Sequence, residues 1–245
     1  CNSNSDHIAN IFALKGYEET LKKSGESGVY GFCRRFFLSH STMRMIYGMK
    51  QQVIDQFKQL KLLKPTSNAW LHANRHAMNT DVLKTVLAFG LYPNLLRRHP
   101  THKNFQGRGN RKCRVQKSSV TNLKGGALTE VNAKNFTWIC FGEMLKGDRS
   151  ELVRDATILS PMSILFCTGS PYKGNGDQEV EEDQQEVTNV GKDDLPESTK
   201  YGVMYIDEGV KFNIDKTLIY PIEILRGLIH TALENIVLTN ENDNV

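Results

Sequence analysis

Near residue 90 of this 245-residue chain the apolar residues change their spacing. Upstream they recur at helical steps, and downstream they alternate. Ile46, Met49, Val53, Phe57 and Leu60 lie three or four apart, as on one face of a helix. After Gly90 the apolar residues fall into short runs of period two, broken by Gly, Pro, Asn and basic clusters. One layer cannot hold both periods, so the chain is expected to be α+β, a helical segment followed by a strand-built unit.

The upstream part divides into helices by its caps. Ser5 caps a first helix bearing Ile8, Ile11, Phe12, Leu14, Tyr17 and Leu21, and "KKSGESG" is expected to stop it. A short aromatic piece, "YGFCRRFF", leads to "LSHSTMRMIYGMKQQVIDQFKQLKLLKP". Ser39 or Ser41 caps that helix, Pro65 ends it, and its apolar stripe is expected to be core. Residues 65–79 read as a polar connection. Asn79 or Thr80 then caps the short helix "DVLKTVLAFG", which Gly90 closes.

Downstream, strands are expected at 91–98, 111–117, 136–145, 152–158, 201–206 and 209–214. A short helix, "SPMSILFC", follows Ser160, with Pro161 at its first position. Many short strands around one inserted helix suggest a small closed Greek-key barrel of the oligonucleotide/oligosaccharide-binding (OB) kind. A last helix, from about Thr217 to Leu238, carries Leu218, Ile222, Leu225, Ile229, Ala232 and Ile236, and Pro221 should kink its first turn. The expected architecture is a helical domain over 1–90 and an OB-fold-like domain over 91–240. Residues 172–200, acid-rich and poor in large apolar groups, read as a disordered surface insertion.

Charge is distributed unevenly. Residues 1–176 hold 26 Lys/Arg against 11 Asp/Glu, whereas 177–245 hold 5 against 16. No acid occurs between Asp81 and Glu130, an interval with ten Lys/Arg. A solvated face normally mixes its signs, so an interval this long points to a polyanionic partner. Five scattered cysteines without a CxxC pair argue against a disulfide framework and for a reducing, intracellular setting. No apolar run reaches the length of a membrane span, and no membrane partner is expected. The chain opens on Cys1, not Met, and so reads as a piece of something longer.

Chemistry-bearing motifs are few. The sequence has no GxxxxGK[ST] loop, no DEAH-like acidic box and no GxSxG elbow, and no Ser/His/Asp or paired-carboxylate arrangement can be assembled. "QGRGNR" resembles an ATP-contacting segment, but without a phosphate loop upstream it reads as a basic hairpin tip. His72 and His76 stand four apart and His99 and His102 three apart; neither pair has a placed third ligand, so no metal is expected. The chain is not expected to be an enzyme by itself, and no cofactor is expected in it.

A basic barrel domain with polar loops remains. OB barrels bind single strands along one face, with cations for phosphates and aromatic or polar groups for bases. Arg97, Arg98, Arg111, Lys112, Arg114 and Lys117 fall on or beside the first strands. In 111–117, Cys113 and Val115 share a face with Arg111 and Lys117, while Lys112, Arg114 and Gln116 make the other face wholly polar.

Several stretches then line up with one family. "SDHIANIF", "FCRRFFLSHSTMRMIYGMKQQV", "VLAFGLYPNLLR", "VQKSSV", "FTWICFGEML" and "ILSPMSILF" occur in this order over nearly the whole chain. Together they resemble the C-terminal region of DEAH/RHA-type RNA helicases. Within that family "TMRMIYGMK", "LAFGLYPN", "KSSV" and "CFGEML" look most like the RNA helicase A and maleless branch. The resemblance implies a ratchet-like helical domain and an OB-fold that close over RecA-like motor domains and line a channel for single-stranded or unwound RNA. It implies ATP and Mg only in those motor domains, which this sequence lacks, and a nuclear or cytoplasmic setting. The strand bearing "KSSV" lies close to RNA in such enzymes, which adds Gln116, Lys117 and Ser118 to the expected RNA-binding residues. Gln116 stands where the family usually has His; the amide keeps hydrogen bonding but loses ring stacking and titration. The rival expectation is a protein-interaction module that uses the acidic insertion or the basic face without touching RNA.

Overall fold

The computed structural model describes residues 4–63, 67–99, 102, 104–107, 111–121, 137–147, 150–167, 169, 201–207 and 210–242. The expected acidic insertion 172–200, residues 108–110 of the expected hairpin tip, Lys103 and Lys124 lie outside the described residues.

Four helices come first: α1 (Asp6–Arg35), α2 (His40–Gln59), α3 (Ser67–Ala73) and α4 (Thr80–Leu91). Their starts follow the capping residues. The Ser5 hydroxyl accepts from the Ile8 N–H, Ser39 from Thr42, and the Asn79 side-chain oxygen from Asp81 and Val82. Each supplies an acceptor to amides that have none inside the helix. Two expectations fail here. "KKSGESG" does not end α1; Gly25, at φ 64 and ψ −164, kinks it, and the aromatic piece continues helical to Arg35. That backbone region is open almost only to glycine, so one residue turns the chain and lets the helix resume. Likewise 67–73, within the expected polar connection, is the helix α3.

α1 and α2 pack around Tyr17, Val29, Cys33 and Met43, and Lys50 donates to both Glu18 carboxylate oxygens at 2.6 and 2.9 Å across them. The expected core stripe of α2 is a correction: Ile46, Met49, Val53, Phe57 and Leu60 are 38–56% exposed. Its period is right for a buried face, but α1 packs on another side of α2.

Strands β1 (Leu95–Arg98), β2 (Phe105–Gln106), β3 (Lys112–Val115), β4 (Thr137–Leu145) and β5 (Glu151–Leu159) close a barrel in the order β1-β2-β3-β5-β4. All pairs are antiparallel except β3 with β5. α5 (Pro161–Cys167) follows, capped by Ser160, whose hydroxyl accepts from the Ser163 N–H. The strands expected at 201–206 and 209–214 exist as β6 (Tyr201–Asp207) and β7 (Val210–Asp215), but they pair only with each other and stand outside the barrel. β2, only two residues long and without a readable period, completes the barrel in their place. α6 (Lys216–Asn242) is the last described element, with Pro221 inside it.

β4 departs from the expected alternation, and its surroundings show why. Thr137–Phe141 is buried throughout: Ile139 and Phe141 point into the barrel with Leu96, Phe105, Cys113, Val115 and Val153. Trp138 and Cys140 point the other way, into a second core with Ala88 of α4, Ile164 and Leu165 of α5, and Met204, Ile206 and Val210 of the hairpin. A strand covered on both faces loses its alternation. Trp138 stacks on Phe212 at 5.8 Å between centroids, seating β7 on the barrel wall. The Arg226 guanidinium of α6, buried, donates to the Leu165 carbonyl in the last turn of α5, where a cation meets the negative helix end. No helix among the described residues is long and apolar enough to cross a membrane.

Candidate nucleic-acid interface

Strand alternation sorts the basic residues. Cys113 and Val115 are buried, and Lys112 and Arg114 are exposed, so the polar face of β3 points outward as the spacing predicts. Arg97 of β1 is in register with Gln106 of β2, which is in register with Lys112 of β3. The three make an outward row across adjacent strands, and Arg114 lies two residues further along β3. Its guanidinium is steadied by two bonds from Nε and Nη2 to the Ser150 hydroxyl at 3.0 and 2.7 Å.

Beyond β3 the chain makes a tight turn. The Gln116 N–H donates to the Val153 carbonyl at 2.9 Å, and the Ser119 N–H donates back to the Gln116 carbonyl at 3.0 Å. Lys117 and Ser118 are therefore the two central residues of a four-residue turn, and both are exposed. Gln116, at the turn's first position, is partly buried. The turn follows directly from β3, so Lys112, Arg114 and Lys117 form one basic margin of the barrel.

Two expected contact residues take other work. Arg111 is exposed, but its Nη1 donates to Glu151 Oε1 at 2.7 Å, and this bond holds the otherwise buried Glu151 carboxylate below the usual carboxylate range. Arg98 turns toward the barrel end, its guanidinium 5.3 Å from the Phe105 ring centroid, and burial lowers its pKa from the ordinary arginine value. The aromatics nearest this face are core and offer no stacking platform: Phe105 and Trp138 are 3% and 6% exposed, and Tyr92 packs on the outer core. The outward face is equipped for charge and hydrogen bonding. Among the described residues no three His, Cys, Asp or Glu are grouped to hold a metal ion.

The turn also has an anchor that local sequence reading missed. Asp6, the first residue of α1, accepts from the Ser119 hydroxyl at 2.6 Å, the Val120 N–H at 2.8 Å and the Ala156 N–H at 2.8 Å. Ser119 and Thr121 are buried behind the turn and share a hydroxyl hydrogen bond of 2.7 Å. Partners more than a hundred residues apart leave no local signature. Asp6 and Ser119 both fall in stretches that resemble the family, but the resemblance did not single out Asp6.

The barrel order β1-β2-β3-β5-β4 with a parallel β3–β5 pair agrees with a family comparison: the model of the oligonucleotide/oligosaccharide-binding (OB)-fold matches residues 83–170. The chain is 26% identical over 198 residues to the ATP-dependent RNA helicase DHX30 of Homo sapiens, covering 76% of this chain. It is 25% identical over 232 residues, 94% of this chain, to the DExH-box ATP-dependent RNA helicase DExH1 of Arabidopsis thaliana. Over most of its length this chain is similar to RNA helicases, and its barrel matches the OB-fold family. A similar match, 25% over 186 residues and 72% of this chain, is to the ATP-dependent DNA/RNA helicase DHX36 of Rattus norvegicus. The matched stretch spans 16%, 20% and 17% of those three relatives. The similarity to these helicases extends over both the helical segment and the barrel.

Proposed function

We propose that this chain is the RNA-binding accessory region of an ATP-dependent DEAH/RHA RNA helicase, lining part of a single-strand channel. The observation that carries this reading is the outward basic margin: Arg97, Gln106 and Lys112 in register, then Arg114, then Lys117 and Ser118 at the turn. Lysine and arginine neutralise phosphates, Ser118 and Gln106 offer hydrogen bonds, and among the described residues the neighbouring aromatics Phe105 and Trp138 are buried, which favours backbone tracking over base readout. ATP hydrolysis, with its Mg, belongs to RecA-like motor domains of the same polypeptide. The stripe of α2, uncovered among the described residues, supports a large intramolecular partner, since five large apolar residues stand exposed at core spacing. The stretches "TMRMIYGMK" and "CFGEML" favour the RNA helicase A and maleless branch, and with it a nuclear or cytoplasmic setting.

Electrostatic capture makes a quantitative prediction. With about four phosphates engaged at about −0.7 each, the logarithm of affinity for single-stranded RNA falls against log salt with a slope near −3. Fluorescence anisotropy with a labelled oligonucleotide measures it. Combining Lys112→Glu, Arg114→Glu and Lys117→Glu should abolish binding while leaving the circular dichroism spectrum and melting temperature nearly unchanged, because all three side chains are exposed. A slope near zero in the unaltered chain would sink the reading and favour a protein-docking module.

A further inference from the structure

We infer that Asp6 is a positioning residue for the RNA-facing turn, so that the helical segment sets where Lys117 and Ser118 stand. This rests on the RNA reading above for its function, though its geometry stands alone. The Asp6 carboxylate commits Oδ1 to the Val120 N–H and Oδ2 to both the Ser119 hydroxyl and the Ala156 N–H. It thereby ties the exit of the turn to β5, while the turn's entry is tied to β5 by the Gln116 N–H on Val153. With both ends pinned to one strand, the two central residues have only their side chains free to move.

Asp6 is itself held on both sides. The Ser5 hydroxyl meets the Thr157 hydroxyl at 2.6 Å, the Asn4 carbonyl accepts from the Ile158 N–H at 3.0 Å, and His7 Nδ1 lies 2.8 Å from the Thr157 hydroxyl. β5 is shaped to receive it: Asp155 takes a left-handed conformation, φ 53, directly before the Ala156 amide that donates to Asp6. Opposite Asp155 stands Gly142, where a Cβ would come within 3.3 Å of the Asp155 Cβ. Alanine at position 6 leaves two amides and a hydroxyl without their shared acceptor, and asparagine keeps one acceptor oxygen but turns an NH2 group toward the remaining donors. The turn then loses its fixed height above the barrel.

The test compares Asp6→Ala and Asp6→Asn with Lys117→Ala, the Asp6→Ala/Lys117→Ala double variant and Ser5→Ala, using labelled single-stranded oligouridylate. Ser5 anchors the same junction without touching the turn, and so controls for mere loosening. One phosphate contact at about 0.7 in the salt exponent is worth about fivefold in affinity at 0.1 M salt. Each single change at Asp6 or Lys117 should therefore weaken binding about fivefold and lower the slope by about 0.7, and the double variant should be no weaker than either alone. Ser5→Ala should lower the melting temperature and leave both affinity and slope in place. Amide exchange at Val120 should accelerate in Asp6→Asn. The inference is overturned if folded Asp6→Asn binds like the unaltered chain, if the double variant loses about twenty-fivefold, or if Val120 stays protected. Should the unaltered chain itself show no salt-dependent binding, the RNA reading fails. Faster exchange at Val120 in Asp6→Asn would then still establish the hold on the turn, and unchanged exchange would remove that too.

Discussion

Arg111 and Glu151 meet at the starts of two parallel strands, where β3 and β5 begin side by side. The carboxylate is nearly enclosed and takes a second, weaker donor, the Cys113 thiol at 3.6 Å from Oε2. Burial first, then that carboxylate, pushes Cys113 up to about 11, so the thiol stays protonated at neutral pH and inert as a nucleophile. The arginine's hydrogen bond is the leading cause that lowers Glu151. A carboxylate whose folded pKa lies below its unfolded value adds stability above that value, about 4.3, and the gain disappears as pH falls through the folded pKa. Arg111→Gln should therefore lower the melting temperature at pH 7, and the gap from the unaltered chain should narrow at a second, acid pH, as the pH falls through the folded pKa of Glu151 and protonation removes the charge that Arg111 pairs with. Thermal melts at the two pH values measure it. An equal gap at both would mean that Arg111 acts by packing alone. For RNA work the same geometry matters, because a glutamate at 111 would face Glu151 and test the fold instead of the interface.

Elements were legible in the sequence where a local rule decides them. Ser5, Ser39, Asn79 and Ser160 cap helices as their side-chain chemistry requires, and β3's alternation correctly separated Cys113 and Val115 from Lys112 and Arg114. Failures came where a local cue was ambiguous or a distant partner ruled. Gly25 looked like a stop and is a kink, β2 is too short to show a period, and α2's stripe has core spacing but no cover among the described residues. Nothing in the sequence near Lys117 announces Asp6. Gly25 allows a direct test of its own role. Its φ of 64 and ψ of −164 suit glycine almost alone, and a Cβ at this position would meet no atom within 4 Å, so any cost there is backbone strain and not a clash. Gly25→Ala should destabilise the α1–α2 hairpin by about 1–3 kcal/mol, read by urea unfolding followed at Tyr17 and its neighbours. A neutral result would show that α1 can straighten through this point without loss.

At the scale of the whole molecule the barrel and the charge asymmetry are two aspects of one arrangement. The basic margin is built on β1, β3 and the turn after β3, whereas the acids are concentrated after residue 176, nine of them within 177–197. That segment belongs to the stretch of chain between Gly169 and Tyr201, so its charge stays tethered to the same body as the basic margin. Deleting 177–197 removes nine acids and one lysine and takes the net charge from +4 to +12. Like charge near an anion-binding margin slows the approach of RNA, and the effect reaches only as far as screening allows, about 30 Å at 0.01 M salt and about 8 Å at 0.15 M. The deletion should therefore speed association with single-stranded RNA several-fold at 0.01 M salt and little at 0.15 M, with dissociation nearly unchanged, as stopped-flow fluorescence would show. A deletion that leaves association untouched at low salt, but abolishes capture of a protein partner, would instead make the acidic segment a docking element independent of RNA.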